Sequence, residues 1–225
     1  MMPTDEKNRL DPSRTCLMFF DTAGYIKDGT YQTDLPDRVQ MVANWRNQLA
    51  VARELNMMVA FPQTAQRPDA TNYFARKQDL ANDGTPFAVG ESRPMSANTL
   101  GAPQIRTIED IATGPNDYIF WKERWDPWQY TTFELSLRRR KVDTIIANGG
   151  VTEVGIAASV FGAHRLDFDI VVVSDGCYTG HPRRHEVFIR KVFPSMARIR
   201  TADQVIAMLR EGAHYSSPAA AGEVR

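Results

Sequence analysis

Short apolar runs alternate with stretches of helical period along most of the chain. Residues 15–20, TCLMFF, form a continuous apolar run suited to a strand buried on both faces. Pro36 then opens a different pattern that continues to about Asn56. Val39, Val42, Trp45, Leu49, Ala52 and Leu55 recur three or four residues apart, as one apolar stripe along a helix. MMVAF (57–61) predicts a second strand and YIFW (118–121) a third. A helix is predicted over 128–140, closing on Arg138, Arg139, Arg140 and Lys141, cations that suit a helix C-terminus rather than a nucleic-acid patch. VDTIIA (142–147) predicts a fourth strand, followed by a helix over 153–166 and a fifth strand, DIVVVS (169–174). A helix over 182–192, a short strand over 197–200 and a helix over 202–210 complete the series.

Strands separated by helices of this length imply right-handed crossovers and a parallel sheet. The expected fold is a three-layer α/β/α domain with a mostly parallel, doubly wound sheet of about six strands, occupying residues 1–212. Residues 62–104 break the pattern, with five prolines (Pro62, Pro68, Pro86, Pro94, Pro103) and no clear period. A long irregular segment inside a compact domain reads as an active-site lid or a partner-contacting loop. Residues 213–225 are small and polar and read as a flexible tail. There is no internal repeat and no heptad run.

Composition narrows the function. The chain has 225 residues, 27 Lys+Arg and 27 Asp+Glu. Zero net charge gives no electrostatic case for nucleic acid or an anionic membrane. No apolar run approaches the ~20 residues of a membrane span. The opening MMPTDEKNRLDPSR lacks the apolar core of a signal peptide. The two cysteines, Cys16 and Cys177, lie far apart and suit a reducing compartment, so a cytoplasmic location is expected.

In open parallel sheets, ligands sit beyond the carboxyl ends of the strands. The first predicted strand ends at Asp21, the third at Lys122, and the fourth at Asn148-Gly149-Gly150-Val151-Thr152 before a helix starting near Glu153. Each feature alone is ordinary, as a cap, a solvated cation or a turn. Together they bring two opposite charges and a glycine-rich helix start to one rim.

These residues lie in three longer segments: RLDPSRTCLMFFDTAGYI, PNDYIFWKERWDPWQYTTFELSLRRRKVDTIIANGGVTEVGI and DIVVVSDGCYTGHPRRHEVFI. Over residues 10–210 the chain resembles the isochorismatase-like hydrolase superfamily. That group of cysteine-hydrolase relatives includes isochorismatases, nicotinamidases, and N-carbamoylsarcosine, ureidoacrylate and maleamate amidohydrolases. The resemblance implies that Asp21 is the family's acid and Lys122 its lysine. Amidase members add a cysteine at a helix start, where the dipole and backbone N–H groups favour a thiolate and an oxyanion. The matching residue in GGVTEVGI is Gly155. Without a thiol there, the acyl-enzyme route cannot run at that position.

True isochorismatases resemble this chain in carrying glycine at the same place. Their chemistry implies protonation of a vinyl ether at its terminal methylene carbon. Water then adds to the oxocarbenium ion, and the hemiketal collapses to pyruvate. On this reading Asp21 is the general acid, or the base towards water, and Lys122 orients and stabilises charge. Val151 and Gly155 would offer backbone N–H groups. A cis peptide at Gly150–Val151 is also implied. Gln63 and Gln66 compete for a substrate-binding glutamine after strand two, while Arg67 and Asp69 resemble the R-P-D of amidase relatives. Tyr25 and Arg124 are candidate substrate contacts. Trp121, Trp125, Trp128 and Tyr130 flank Lys122 and could wall the pocket or a subunit interface, with Trp125 and Trp128 the candidate binders.

Three alternatives stay open: hydrolysis of an amide or ureide C–N bond by water activated at Asp21, Cys177 as a substitute nucleophile after strand five, and a catalytically silent binding homologue. Metal-dependent relatives draw histidines from the segments after strands one and two. Here His164, His181, His185 and His214 all come late, so no metal is expected. No dinucleotide or ATP motif occurs, so no cofactor is expected. The resemblance implies a small-molecule substrate and a homodimer or homotetramer.

Overall fold

A computed structural model describes residues 8–23, 38–69, 99–102, 105–179 and 181–216. Tyr25 and most of the irregular 62–104 segment lie outside the described residues. Six strands form one sheet: β1 (Thr15–Phe20), β2 (Met58–Thr64), β3 (Tyr118–Lys122), β4 (Thr144–Gly150), β5 (Asp169–Tyr178) and β6 (Arg198–Arg200). Their spatial order is β3-β2-β1-β4-β5-β6, and every pairing is parallel. The order reverses between β1 and β4, which makes the gap beyond their carboxyl ends the topological switch point where such sheets bind ligands.

Helices cover both faces. One apolar cluster unites Leu17, Phe19, Phe61 and Ile146 of the sheet with Trp45 and Leu49 of α1 (Arg38–Glu54) and Val205 and Leu209 of α5 (Ala202–Ser216). The opposite cluster unites Met18, Phe20 and Ile145 with Phe133 and Leu137 of α2 (Phe133–Arg139) and Val160 and Ala163 of α3 (Ala157–Arg165). Alternate residues of β1 therefore serve two cores, which is why its sequence is apolar throughout. Each fully buried side chain of this kind contributes ~1.5–3 kcal/mol. No helix among the described residues is long and apolar enough to cross a membrane.

Several boundaries differ from the sequence pattern. β2, β4 and β5 continue three or four residues further than expected, to Thr64, Gly150 and Tyr178. Their last residues are mostly proline, glycine or polar, so they lack a continuous apolar signature yet still pair with neighbouring strands. Residues 128–132, expected to be helical, form turns: the Asp126 carboxylate accepts the Trp128 N–H at 2.7 Å, and Tyr130 has φ +59°. Such a local side-chain bond competes with the first helical turn. α5 runs to Ser216, so residues 213–216 are helical rather than tail, and the rest of the expected tail lies outside the described residues.

A buried polar network shapes the end of the sheet. Register shifts between Ala147 and Gly149, and the Asn148 side chain exchanges two 3.1 Å hydrogen bonds with Gln48 of α1. Trp45 Nε1 donates to the Gly176 carbonyl at 2.8 Å. These bonds satisfy the polar groups that the irregular pairing exposes in the core.

Candidate active site

Asp21 is the first residue past β1, and its φ of +50° turns the chain sharply at the rim. An aspartate tolerates this left-handed conformation better than most residues. Its N–H donates to the Pro62 carbonyl at 3.0 Å, and the Tyr178 hydroxyl donates to its carbonyl at 2.7 Å. The turn is thus fixed from β2 on one side and β5 on the other.

The carboxylate reaches the end of β2. Thr64 N–H donates to Oδ1 at 2.6 Å, and Thr64 Oγ1 donates to Oδ2 at 3.0 Å. Lys122 closes the group from β3, two strands away from β1, a backbone separation of ~10 Å that only a long side chain can bridge. Its Nζ donates to Asp21 Oδ2 at 2.8 Å and to Thr64 Oγ1 at 2.5 Å, and lies 4.0 Å from the centroid of the Phe20 ring. The Lys122 side chain is 1% exposed and that of Asp21 15%. Burial lowers the lysine pKa, outweighing the opposing pull of the Asp21 carboxylate. The proton on this ammonium is therefore held less firmly than on a solvated lysine.

β4 delivers the third part. The Gly150–Val151 peptide is cis, as the resemblance implies. Gly149 has φ +102°, and a Cβ there would lie 2.0 Å from the Phe20 carbonyl oxygen, so β1 and β4 approach too closely for any side chain. A wide helical turn, Thr152–Ile156, leads directly into α3. The Val151 carbonyl accepts N–H groups from Val154 and Ile156, and the Gly155 carbonyl accepts Ser159 Oγ at 2.8 Å. Thr152 Oγ1 donates to the Tyr178 carbonyl at 3.0 Å and lies 2.9 Å from His185 Nδ1. Thr179 Oγ1 donates to the Glu153 carboxylate, which Arg184 faces at 3.7 Å. The loop before α3 is thus anchored to β5 and α4 (Pro182–Val187).

The other candidate residues divide. Gln63 is buried and its amide donates to the Thr107 hydroxyl, while the Gln66 carbonyl accepts the Leu100 N–H at 2.8 Å. Both tie β2 to segments that return after the undescribed stretch. Arg67 pairs with Asp69 at 2.7 Å at the surface. Arg124 Nη1 donates to the Glu123 carbonyl at 2.9 Å, and Trp125 is 45% exposed. Trp128 is not a pocket wall. Its ring is buried between Phe133 and Phe168, and its Nε1 donates to the Ser159 carbonyl at 3.2 Å.

Cys177 stands inside β5 rather than after it, buried, with its Sγ donating weakly to the Ala147 carbonyl at 3.7 Å. Burial pushes its thiol pKa up, and the neighbouring Asp175 adds to the rise, an environment opposed to a nucleophilic thiolate. Cys16 is likewise buried within β1. Among the described residues no three His, Cys, Asp or Glu side chains are grouped to hold a metal.

Thr64, Tyr178 and Phe20 escape the sequence reading. The signal for Thr64 and Tyr178 was the same one that found Asp21, a polar group at a strand's end, but it was hidden because those strands outlast their apolar runs.

The fold and rim define a class: a doubly wound α/β protein with an acid–lysine pair and a glycine-rich loop at the switch point of its sheet. The isochorismatase domain matches residues 17–204, and the chain belongs to that family, whose members are hydrolases. Among curated relatives, an uncharacterized isochorismatase family protein of Bacillus subtilis (strain 168), YwoC, is 27% identical over 201 residues, covering 89% of this chain and 97% of the relative. YecD of Escherichia coli O157:H7, of the same description, is 32% identical over 91 residues, 40% of this chain and 48% of its own length. Among solved structures, an isochorismatase family protein from Burkholderia thailandensis superposes with a TM-score of 0.76 at 22% identity, covering 90% of this chain and 98% of the other.

Proposed function

We propose that this protein hydrolyses a small molecule without a cysteine nucleophile, using Asp21 as general acid or base and Lys122 as the orienting, charge-stabilising partner. Vinyl-ether hydrolysis is the favoured reaction. The observation that supports it is the Asp21–Lys122–Thr64 group, a proton-transfer pair held by short hydrogen bonds, together with Gly155, which packs without a side chain on the same Phe20 ring that the Lys122 ammonium faces. Protonation of the terminal methylene carbon by Asp21 gives an oxocarbenium ion. Water adds to it and gives up its proton to the Asp21 carboxylate, and the hemiketal collapses to a ketone and an alcohol. Lys122 holds that carboxylate in place across the 2.8 Å contact and offsets its charge. Val151 and Gly155 would present backbone N–H groups to the substrate's oxygen atoms.

The test is a panel of vinyl ethers, amides and ureides, read as ketone or ammonia release, with wild type, Asp21→Ala and Lys122→Ala. The proposal expects vinyl-ether turnover that falls by roughly 10²–10⁴ in either variant. Ammonia release lost in the same variants would move the assignment to C–N hydrolysis by activated water. No turnover, or turnover unaffected by both changes, would reject this site as an active site and favour a binding homologue. We also infer a homodimer or homotetramer on the family resemblance, to be checked by light scattering.

A further inference from the structure

Resting on the reading that hydrolysis here uses no nucleophilic side chain, we propose that Phe20 is the positioning residue that fixes this mode of reaction. Its ring fills the room in front of Gly155 and braces the Lys122 ammonium, so that no side chain can stand at position 155.

The geometry begins with β1. Cys16, Met18 and Phe20 point to one face, and Phe20 is the last of them before the chain turns at Asp21. Gly155 comes down onto the same face from the turn that begins α3. A Cβ built at 155 would lie 2.2 Å from Phe20 Cε1, 2.8 Å from Cζ and 2.9 Å from Cδ1. Even alanine is excluded unless the ring moves.

A ring tip can often swing aside, but this one is pinned three times. Its backbone cannot retreat, because β4 presses on it at Gly149, where a Cβ would be 2.0 Å from the Phe20 carbonyl oxygen. Its ring lies in the dense core between β1 and α3, 1% exposed. The Lys122 ammonium sits 4.0 Å from its centroid, and that lysine is held in turn by Asp21 and Thr64. A cation over an aromatic face is attracted by the ring quadrupole, most strongly when water is excluded. Turning the ring would vacate that contact and crowd the core.

The consequence is chemical. The ring is itself closed off by burial and faces the Lys122 ammonium, and by filling the space before Gly155 it keeps out the side chain that acyl transfer would need. Proton transfer and attack by water need no group at that position, whereas a substrate that must be acylated onto the protein finds nothing there to accept it. Phe20 and Gly155 thus act as a complementary pair that selects against acyl transfer.

Four proteins test this: wild type, Gly155→Cys, Phe20→Val, and the double variant. Thermal midpoint is measured for each, together with native-state alkylation by iodoacetamide, located by peptide mass spectrometry. In that reaction the thiolate forms an S–C bond as the C–I bond breaks and iodide leaves with the electron pair. Gly155→Cys alone is expected to melt several degrees below wild type. The double variant should melt above the Gly155→Cys variant and react at position 155 at least tenfold faster than it does. A Gly155→Cys variant as stable as wild type, or one that Phe20→Val fails to rescue in fold or reactivity, overturns the pairing.

The bracing role has its own readout. In ¹³Cε-lysine NMR the Lys122 resonance, assigned by its loss in Lys122→Met, should titrate at lower pH in Phe20→Leu and return towards wild type in Phe20→Tyr. An unchanged titration in Phe20→Leu overturns the bracing. None of these readouts needs a substrate, so their failure is distinct from failure of the hydrolytic assignment, which the substrate panel decides.

Discussion

Asp21→Asn keeps the shape of the side chain and removes its charge, and it should damage folding as well as activity. In the wild type, Oδ1 accepts the Thr64 N–H at 2.6 Å while Oδ2 accepts Lys122 at 2.8 Å and Thr64 Oγ1 at 3.0 Å. An amide cannot satisfy both sides, because whichever way it is flipped its NH₂ meets a donor. The ion left behind is also the more buried of the two, with the Lys122 side chain 1% exposed against 15% for Asp21. Removing one partner of a buried pair costs about 3–5 kcal/mol. The Thr64 hydroxyl and the Phe20 ring still hold the ammonium, so the lower end, about 3 kcal/mol, is expected. For a domain of this size that is a fall of about 6–12 °C in Tm.

The pH dependence carries a definite sign. Burial already lowers the Lys122 pKa, and Asp21 is what opposes the fall, so the variant lowers it further. Between that lowered value and the unfolded value of ~10.4, the folded state binds fewer protons than the unfolded chain. Stability of the variant then rises with pH, by up to ~1.4 kcal/mol per unit, and is lost as pH falls towards the folded pKa. Urea unfolding followed by tryptophan fluorescence from mildly acidic to mildly alkaline pH measures this. Adding Lys122→Met removes the stranded charge and should restore stability to within about 1 kcal/mol of wild type, with that slope gone. If Asp21→Asn stays within about 0.5 kcal/mol of wild type at every pH, the buried-pair reasoning is wrong.

Three further outcomes follow from other parts of the molecule. Burial lowers the His185 pKa from 6.5 despite the nearby Glu153, so its contribution to stability is present above that pH and lost as pH falls through the folded value; His185→Gln should flatten the stability profile below pH 6.5, and an unchanged profile would count against it. Cys16 and Cys177, both buried, should resist iodoacetamide in the native protein and react only after unfolding; rapid native labelling of Cys177 with loss of turnover would revive it as a nucleophile. Gly162→Ala places a Cβ 2.1 Å from Trp128 Cδ1 and should destabilise by about 1–3 kcal/mol through overpacking, read as a lowered Tm.

Much of the architecture was legible because the signals are local. The apolar run at 15–20 is β1 residue for residue, and the three- and four-residue spacing from Val42 to Ala52 tracks the inward face of α1, although Val39 is exposed and Leu55 falls just past the helix end. The same logic failed where a strand's end ceases to be apolar. Pro62 interrupts the run that ends at Phe61, yet β2 continues to Thr64, since the pairing of Pro62, Gln63 and Thr64 with β3 outweighs the missing donor. Trp128 misled in the opposite direction. It stands six residues from Lys122 in the chain, yet Gly162 makes room for its ring in the core, and no spacing along the chain encodes that contact.

The sequence by itself determined the layered class, the candidate acid and base at strand ends, and the absence of a thiol at position 155, because each depends on residue type and period. Tertiary structure decided the rest. Thr64 joins Asp21 and Lys122 only because β1, β2 and β3 are neighbours whose ends are level. Cys177 is buried only because irregular pairing with β4 draws it into β5. Phe20 closes the space before Gly155 only because β4 holds its backbone while α3 lowers a glycine onto its ring. Those are contacts between segments distant in the chain, and their energies come from burial and close approach rather than from any local preference of the chain.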